Sequence, residues 1–248
     1  MKDLEKYKGD VVMRIEGLFK SFGDNHVLNG FDMELQVGEN LVIMGKSGSG
    51  KSVMIKCLMG LMQPDKGKIE IMGLNVLEME QQDLDQLRKQ IGFLFQGSAL
   101  YDSMTVRENL EFPLRKQKMP QSEKDELVYE ALDSVGLEHA LELMPDELSG
   151  GMKRRIALAR AIILHPRIII YDEPTTGLDP ITAKEIIQLM REIQKKHGSA
   201  ALIITHDVDC SRVIADRMIL LIDGVNYAEG SFDELQASKD EKIRAFFK

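Results

Sequence analysis

Leu41-Val42-Ile43-Met44-Gly45-Lys46-Ser47-Gly48-Ser49-Gly50-Lys51-Ser52 is the stretch whose reading decides the fold. Four apolar residues of strand length enter a loop of the pattern G-x-x-x-x-G-K-[ST], and a helix-like run follows through Met62. Strand, glycine-rich loop and helix in that order aim consecutive backbone N–H groups at phosphate oxygens, with the positive end of the helix dipole behind them. On this reading Gly45, Ser47, Gly48, Ser49 and Gly50 shape a phosphate cradle. Lys51 neutralises the β- and γ-phosphates, and Ser52 coordinates Mg²⁺. The competing reading is a plain Gly/Ser turn.

A P-loop needs an acidic partner at the end of another strand. Ile168-Ile169-Ile170-Tyr171-Asp172-Glu173 supplies one: Asp172 would hold the metal and Glu173 would orient or deprotonate the attacking water. The alternative for this pair is a solvated strand end. A further apolar run, Leu202 to Thr205, ends at His206, placed to reach a γ-phosphate if its strand lies beside the others.

Outward from these motifs, short apolar runs bounded by Gly, Asp or Pro alternate with helical spacing, which predicts an α/β core. The order differs near the start. Val12 to Phe19, Phe31 to Val37 and Leu41 to Met44 read as successive strands around turns at Gly23-Asp24-Asn25 and Gly38-Glu39-Asn40, predicting a small antiparallel sheet. From Gln96 to His165 strand signals vanish, and the segment reads as inserted helices. Within it Ser122 and Asp125 have capping-box-like spacing, Leu127, Ala131 and Val135 follow at helical intervals, and Gly136 supplies a stop. A helix over 181–197 should bury Ile186, Met190 and Ile193 and end at Gly198.

Composition narrows the classes. With 44% hydrophobic and 29% charged residues over 248 positions, the chain can bury a core without staples. Its net charge of -8 offers no basic field for a nucleic acid, so any anionic ligand is captured locally. Cys57 and Cys210 lack disulfide or zinc spacing and suit a reducing cytosol. No apolar run approaches the ~20 residues of a membrane span, and MKDLEKYKGD lacks the apolar core of a signal peptide. The fifteen Met residues read as flexible core filling, or else as an adaptable binding surface.

Together the motifs resemble those of the ATP-binding-cassette ATPases, over nearly the whole chain. Gln96 stands where that family has its Q-loop glutamine. Leu148-Ser149-Gly150-Gly151-Met152 resembles the signature, Gly177-Leu178-Asp179 the D-loop, and His206 the switch histidine. Ser149 also reads as the cap of a helix continuing through Met152, Ile156, Ala159 and Ile163. Phe22 occupies the place of the adenine-stacking aromatic, usually Tyr, with a core aromatic as its alternative.

The resemblance implies one ABC ATPase domain over 1–248: a RecA-like P-loop NTPase core with an antiparallel β subdomain (1–95 and 166–248) and a helical signature subdomain (96–165). It implies ATP and Mg²⁺, the ion held by Ser52, Gln96 and Asp172. Glu173, His206, Lys51 and Gln96 would be catalytic. Ser149, Gly150, Gly151 and Asp179 would meet the nucleotide of a second copy paired head to tail. The implied location is cytoplasmic, peripheral on the inner face of the cytoplasmic membrane, with an integral membrane permease as partner.

The stretch Phe95 to Val106, Leu143-Met144-Pro145, Met152 in the signature and Asp179-Pro180-Ile181-Thr182 are similar to the ATPases of Mla-type phospholipid transporters, which implies an MCE-domain partner. Another cargo, such as an amino acid or lipoprotein, and a soluble non-transport cassette are the alternatives.

Overall fold

A computed structural model describes residues 10–247. The reading of the first residues as no signal peptide therefore lies, apart from Asp10, outside the described residues. In chain order the first elements are β1 (Val11–Phe22), β2 (Asn25–Gln36), β3 (Asn40–Met44), α1 (Lys51–Leu58), β4 (Lys66–Ile71), β5 (Leu74–Asn75) and α2 (Gln81–Arg88). β6 (Ile91–Leu94), α3 (Val106–Glu111), α4 (Gln121–Asp133), α5 (Gly150–Ile162), β7 (Ile168–Asp172) and α6 (Pro180–His197) follow. The last are β8 (Ala200–Thr205), α7 (Val208–Ile214), β9 (Arg217–Ile222), β10 (Val225–Gly230), α8 (Phe232–Gln236) and α9 (Glu241–Arg244). They divide into two compact units, 1–88 with 200–248, and 89–199.

The first unit contains antiparallel and parallel pairing, but Leu41 to Met44, read in sequence with the antiparallel strands, belongs to the parallel sheet, and β4 takes its place beside β1. β1 pairs antiparallel with β2 and β4, and β4 with β5. β3 lies between β8 and β9, parallel to both, and β9 turns back into β10. Burial follows the pairing: every residue of β3 and β8 is buried, whereas β2 alternates inward and outward. That is the difference between a strand covered on both faces and one with a solvated face. Arg217, at the start of β9, donates to both Glu39 oxygens at 2.7 and 3.0 Å. Met13, Met33, Met44, Met54, Met72 and Met218 are buried, which favours core filling for most of the methionine excess in this unit.

The helix after the P-loop is shorter than its sequence suggests. α1 stops at Leu58, and Gly60 adopts φ +62°, with the Leu61 and Met62 amides turning back to the Lys56 carbonyl. Glycine closes the helix before the apolar run ends.

In the second unit β6 and β7 pair in parallel from Ile91↔Ile168 to Leu94↔Tyr171. Among residues 96–165 the only regular elements are helices. The capping expectation at Ser122 and Asp125 is corrected: α4 begins at Gln121 behind Pro120, with no side-chain cap. Pro120 already fixes an extended residue before the helix, so Ser122 falls inside its first turn. The capping box of this segment is Thr105 with Glu108, at the start of α3. Gly136, φ +67°, supplies the stop after α4. α6 buries Ile186, Met190 and Ile193 as expected and ends at Gly198, φ +64°.

At the end of α6, His197 packs 5.5 Å from the His165 ring, and its Nε2 is buried without a hydrogen-bond partner. Burial, with His165 and Lys196 nearby, pushes its pKa below the ordinary value against the opposing charge of Glu130. The unfolded chain then binds this proton first as pH falls. This residue's contribution to stability is present above about pH 6.5, declines below it, and levels off once the folded state also protonates. Urea midpoints at pH 7.5 and 5.5 should show His197→Gln losing less stability on acidification than the wild type. An equal loss in both proteins would remove His197 from that role.

Candidate nucleotide site

Within the first unit the P-loop leaves β3 at Met44 and enters α1 at Lys51. Two glycines are required by local geometry. Gly50 has φ +105°, and a Cβ there would lie 3.0 Å from the Val27 carbonyl, while a Cβ on Gly45 would strike Ser49 Oγ. No side chain caps α1 and no acidic residue stands in its first turn, so its leading N–H groups face the loop. Lys51 Nζ folds back over the loop and donates to the carbonyls of Gly45 (2.5 Å) and Lys46 (3.1 Å). Ser49 Oγ is buried without a hydrogen-bond partner. An uncapped helix start, an ammonium over the loop and an orphaned hydroxyl together fit a polyphosphate. Ser47 and Gly48 are exposed in the loop, and Ser52 is exposed on the first turn of α1.

β8 runs beside β3 in the register Met44↔Thr205. Gly45 and His206 therefore follow adjacent strand ends on one edge of the sheet, and His206 is exposed there. Phe22 closes β1 opposite Asn25 and is 48% exposed, with Lys20 Nζ 5.6 Å from its ring centre. That exposure disposes of the core alternative and leaves a ring face for stacking.

The second unit holds the remaining motifs. Asp172 ends β7, and Glu173 follows with φ +50° while only 7% exposed. A buried, non-glycine residue in the left-handed region is a strained placement, of the kind that collects at functional positions. The Thr176 hydroxyl donates to Glu173 Oε2 at 3.2 Å and holds the carboxylate in place. Gln96 lies exposed just beyond β6 and is followed by three left-handed residues, Gly97, Ser98 and Ala99 (φ +80°, +69° and +45°).

Two arginines that the sequence reading passed over pin these loops. Arg160 donates to the carbonyls of Ser98 (3.2 Å) and Ala99 (2.9 Å). Arg154, 3% exposed, donates to the carbonyls of Phe95 (3.0 Å) and Thr176 (3.1 Å), joining the segments that carry Gln96 and Glu173. Burial pushes its pKa down, though a guanidinium remains charged at any working pH. The available signal was an arginine on the apolar stripe of α5, one turn before Ala157 and Leu158.

Ser149 caps α5, accepting from the Met152 amide at 3.2 Å, and Ile156, Ala159 and Ile163 are buried as expected. Ser149 and Gly150 are exposed. Gly151 has a packing reason of its own, since a Cβ there would lie 2.8 Å from Thr182 Cγ2 on α6. Asp179 is the cap of α6. Its carboxylate accepts from the Ile181 amide (3.0 Å), the Thr182 amide (3.1 Å) and the Thr182 hydroxyl (2.5 Å), and the Thr182 hydroxyl leads in holding it below the usual carboxylate range. The rings of Tyr101 and Phe112 pack 4.5 Å apart yet stay exposed. Among the described residues no cluster of His, Cys, Asp and Glu could by itself hold a metal ion, so the P-loop hydroxyl and a phosphate would have to complete any Mg²⁺ shell.

The ABC transporter family profile matches residues 28–176, a span from β2 through the P-loop to just past the acidic pair. The chain belongs to the ABC transporter family. It is 38% identical over 95% of its length to a probable ribonucleotide transport ATP-binding protein, mkl, of Mycobacterium leprae, of which it covers 68%. To the methionine import ATP-binding protein MetN of Brucella abortus it is 37% identical over 88% of its length, covering 59% of that protein.

Solved cassettes agree in fold. CbiO1 of Clostridium perfringens, part of the transporter complex CbiONQ, superposes with a TM-score of 0.86 at 32% identity, over 96% of this chain and 94% of the other. The cassette MJ0796, in a dimeric post-hydrolysis state with ADP and Pi, gives 0.79 at 31% identity, over 89% and 98%. The α/β cassette fold is thereby established, and with it an ATPase that uses ATP and Mg²⁺. No helix of this cassette among the described residues is long and apolar enough to cross a membrane.

Proposed function

We propose that this cassette dimerises head to tail around two Mg-ATP and energises lipid transport through a membrane permease. The observation that carries the ATPase reading is the P-loop itself: an uncapped helix start, Lys51 lying over the loop and the unpartnered Ser49 hydroxyl. Gly45, Ser47, Gly48, Ser49 and Gly50 hold the phosphates through the loop, and Lys51 leaves the Gly45 and Lys46 carbonyls for the β- and γ-oxygens. Ser52, Gln96 and Asp172 would hold Mg²⁺, which supplies charge neutralisation across the β- and γ-phosphates. Glu173 orients and deprotonates the attacking water, His206 contacts the γ-phosphate edge, and Phe22 stacks on adenine.

Ser149, Gly150 and Gly151 of one copy close on the γ-phosphate held by Lys51 of the other, with Asp179 at the joint. Each ATP then contacts both copies when they are closed and one when open, the differential affinity a ligand-driven switch requires. The exposed start of α5, with Ser149 and Gly150 facing solvent, supports this pairing. Mixing Lys51→Ala with Ser149→Ala protein tests it, because the heterodimer contains one composite site free of both lesions. ATPase activity should reappear on mixing; no gain over either homodimer would count against the trans arrangement.

The lipid assignment rests on Met152 in the signature, the Phe95 to Val106 stretch, Leu143-Met144-Pro145 and Asp179 to Thr182. A permease and an MCE-domain protein are the proposed partners, at the inner face of the cytoplasmic membrane. Relatives named for ribonucleotide and methionine transport keep a second reading, a cassette for a small polar cargo. Isolation of the native membrane complex decides between them. Phospholipid in the purified complex, with an MCE-domain subunit, supports the lipid reading; neither, with stimulation of ATPase by an amino acid or nucleotide, overturns it.

A further inference from the structure

β6 and β7 run in parallel with Leu94 opposite Tyr171. Gln96 and Glu173 each stand two residues beyond that pair, so the loops that carry them leave one edge of the sheet side by side, wholly within the second unit. Both loops pass through sparsely populated backbone. The first continues through left-handed Ser98 and Ala99, and the second begins with left-handed Glu173. Backbone of this kind persists only where its surroundings hold it.

Between the loops lies the guanidinium of Arg154, from the second turn of α5. Its Nη1 donates to the Phe95 carbonyl at 3.0 Å and its Nη2 to the Thr176 carbonyl at 3.1 Å. Each acceptor is tied to a functional side chain. The Phe95 carbonyl belongs to the peptide unit that carries the Gln96 N–H, and it accepts from the Ser98 amide as well, at 3.2 Å. Thr176 gives its hydroxyl to Glu173 Oε2 at 3.2 Å and its amide to the Glu173 carbonyl at 3.3 Å. One planar fork therefore sets the spacing of the Gln96 and Glu173 segments.

For a tie with no task beyond packing, this arrangement is costly. Arg154 is buried, and its Nε has no hydrogen-bond partner. Among the described residues no carboxylate pairs with its charge, and burial alone shifts its pKa. An apolar side chain would complete the buried stripe of α5 without that cost. A buried guanidinium with an orphaned donor calls for a reason, and its two forked contacts supply one.

We propose that Arg154 is a positioning residue for ATP hydrolysis: it holds the Glu173 loop in register with the Gln96 loop and so fixes where the Glu173 carboxylate meets the attacking water. This rests on Glu173 as the base. It asks nothing of the P-loop, which belongs to the first unit, so Arg154 governs turnover and not the affinity for ATP.

Steady-state ATPase kinetics of the full chain test this with Arg154→Met, Arg154→Lys, Glu173→Gln and the double variant that joins Arg154→Met to Glu173→Gln. Methionine keeps an apolar stem and removes both donors; kcat should fall roughly 10- to 100-fold, the scale of a misplaced reacting group, while KM for ATP stays as in the wild type. Lysine keeps the charge but offers a point in place of a fork, so kcat should fall there too, by less. The lysine variant separates geometry from a mere need for positive charge, and it keeps the test open if the methionine variant does not fold. In the Glu173→Gln background Arg154→Met should cost little more, because a group that acts through Glu173 has nothing left to align.

Wild-type kcat in either Arg154 variant overturns the proposal and spares the base. So does a rise in KM with kcat unchanged, or a methionine substitution that slows Glu173→Gln as much as it slows the wild type. Near-normal turnover in Glu173→Gln overturns the base reading itself, and the proposal with it.

Discussion

Glu173→Gln should lower phosphate release by at least about 10²-fold while ATP affinity is kept, because a positioned general base contributes typically 10²–10⁴. The substitution preserves volume, and its amide oxygen can still accept from the Thr176 hydroxyl that now meets Glu173 Oε2. What it removes is the proton acceptor. The left-handed backbone at this residue persists, so the loop stays aimed as before. With hydrolysis blocked and ATP bound, the closed pair of copies should accumulate. Light scattering on the variant with excess Mg-ATP reads that mass directly, and ADP should not produce it. Near-normal turnover would take Glu173 out of the chemistry.

Lys51→Ala carries the other large effect. A hydrogen bond to a charged group is worth about 1.5–3 kcal/mol, so loss of the ammonium from the β- and γ-phosphates should weaken ATP by roughly 10- to 100-fold. A further fall in turnover follows because the same charge stabilises the transferring phosphoryl group. The variant also removes the Lys51 donor from the Gly45 carbonyl, while the Lys46 carbonyl keeps the Ser49 amide. A modest drop in the urea midpoint is therefore expected with it, far too small to account for the lost affinity. Calorimetric titration with ATP, beside a urea melt, separates the two. Unchanged affinity would place the phosphates elsewhere.

Much of this was legible in the sequence because its signals are local. Continuous apolar runs gave β3, β7 and β8, and Gly198 closed α6 where expected. The Ser149 cap and the buried face of α6 followed from spacing alone. What escaped was set by residues far apart in the chain. Arg154 ties Phe95 to Thr176, carbonyls that belong to no motif, and its place on the apolar stripe of α5 marks it as buried without naming those partners. Ser122 misled because Pro120 had already started the helix. The end of α1 escaped because Met59 and Met62 prolong an apolar pattern past the backbone reversal at Gly60.

The placement of Lys51 has a kinetic meaning. With its ammonium on the Gly45 and Lys46 carbonyls, Lys51 braces the curve of the loop. The lysine acts as a placeholder that exchanges one set of oxygens for another. Moving that ammonium onto phosphate oxygens takes a side-chain rotation, a picosecond-to-nanosecond event. Capture of ATP should be governed by diffusion and orientation, which leaves the slow steps of the cycle to the meeting and parting of the two copies.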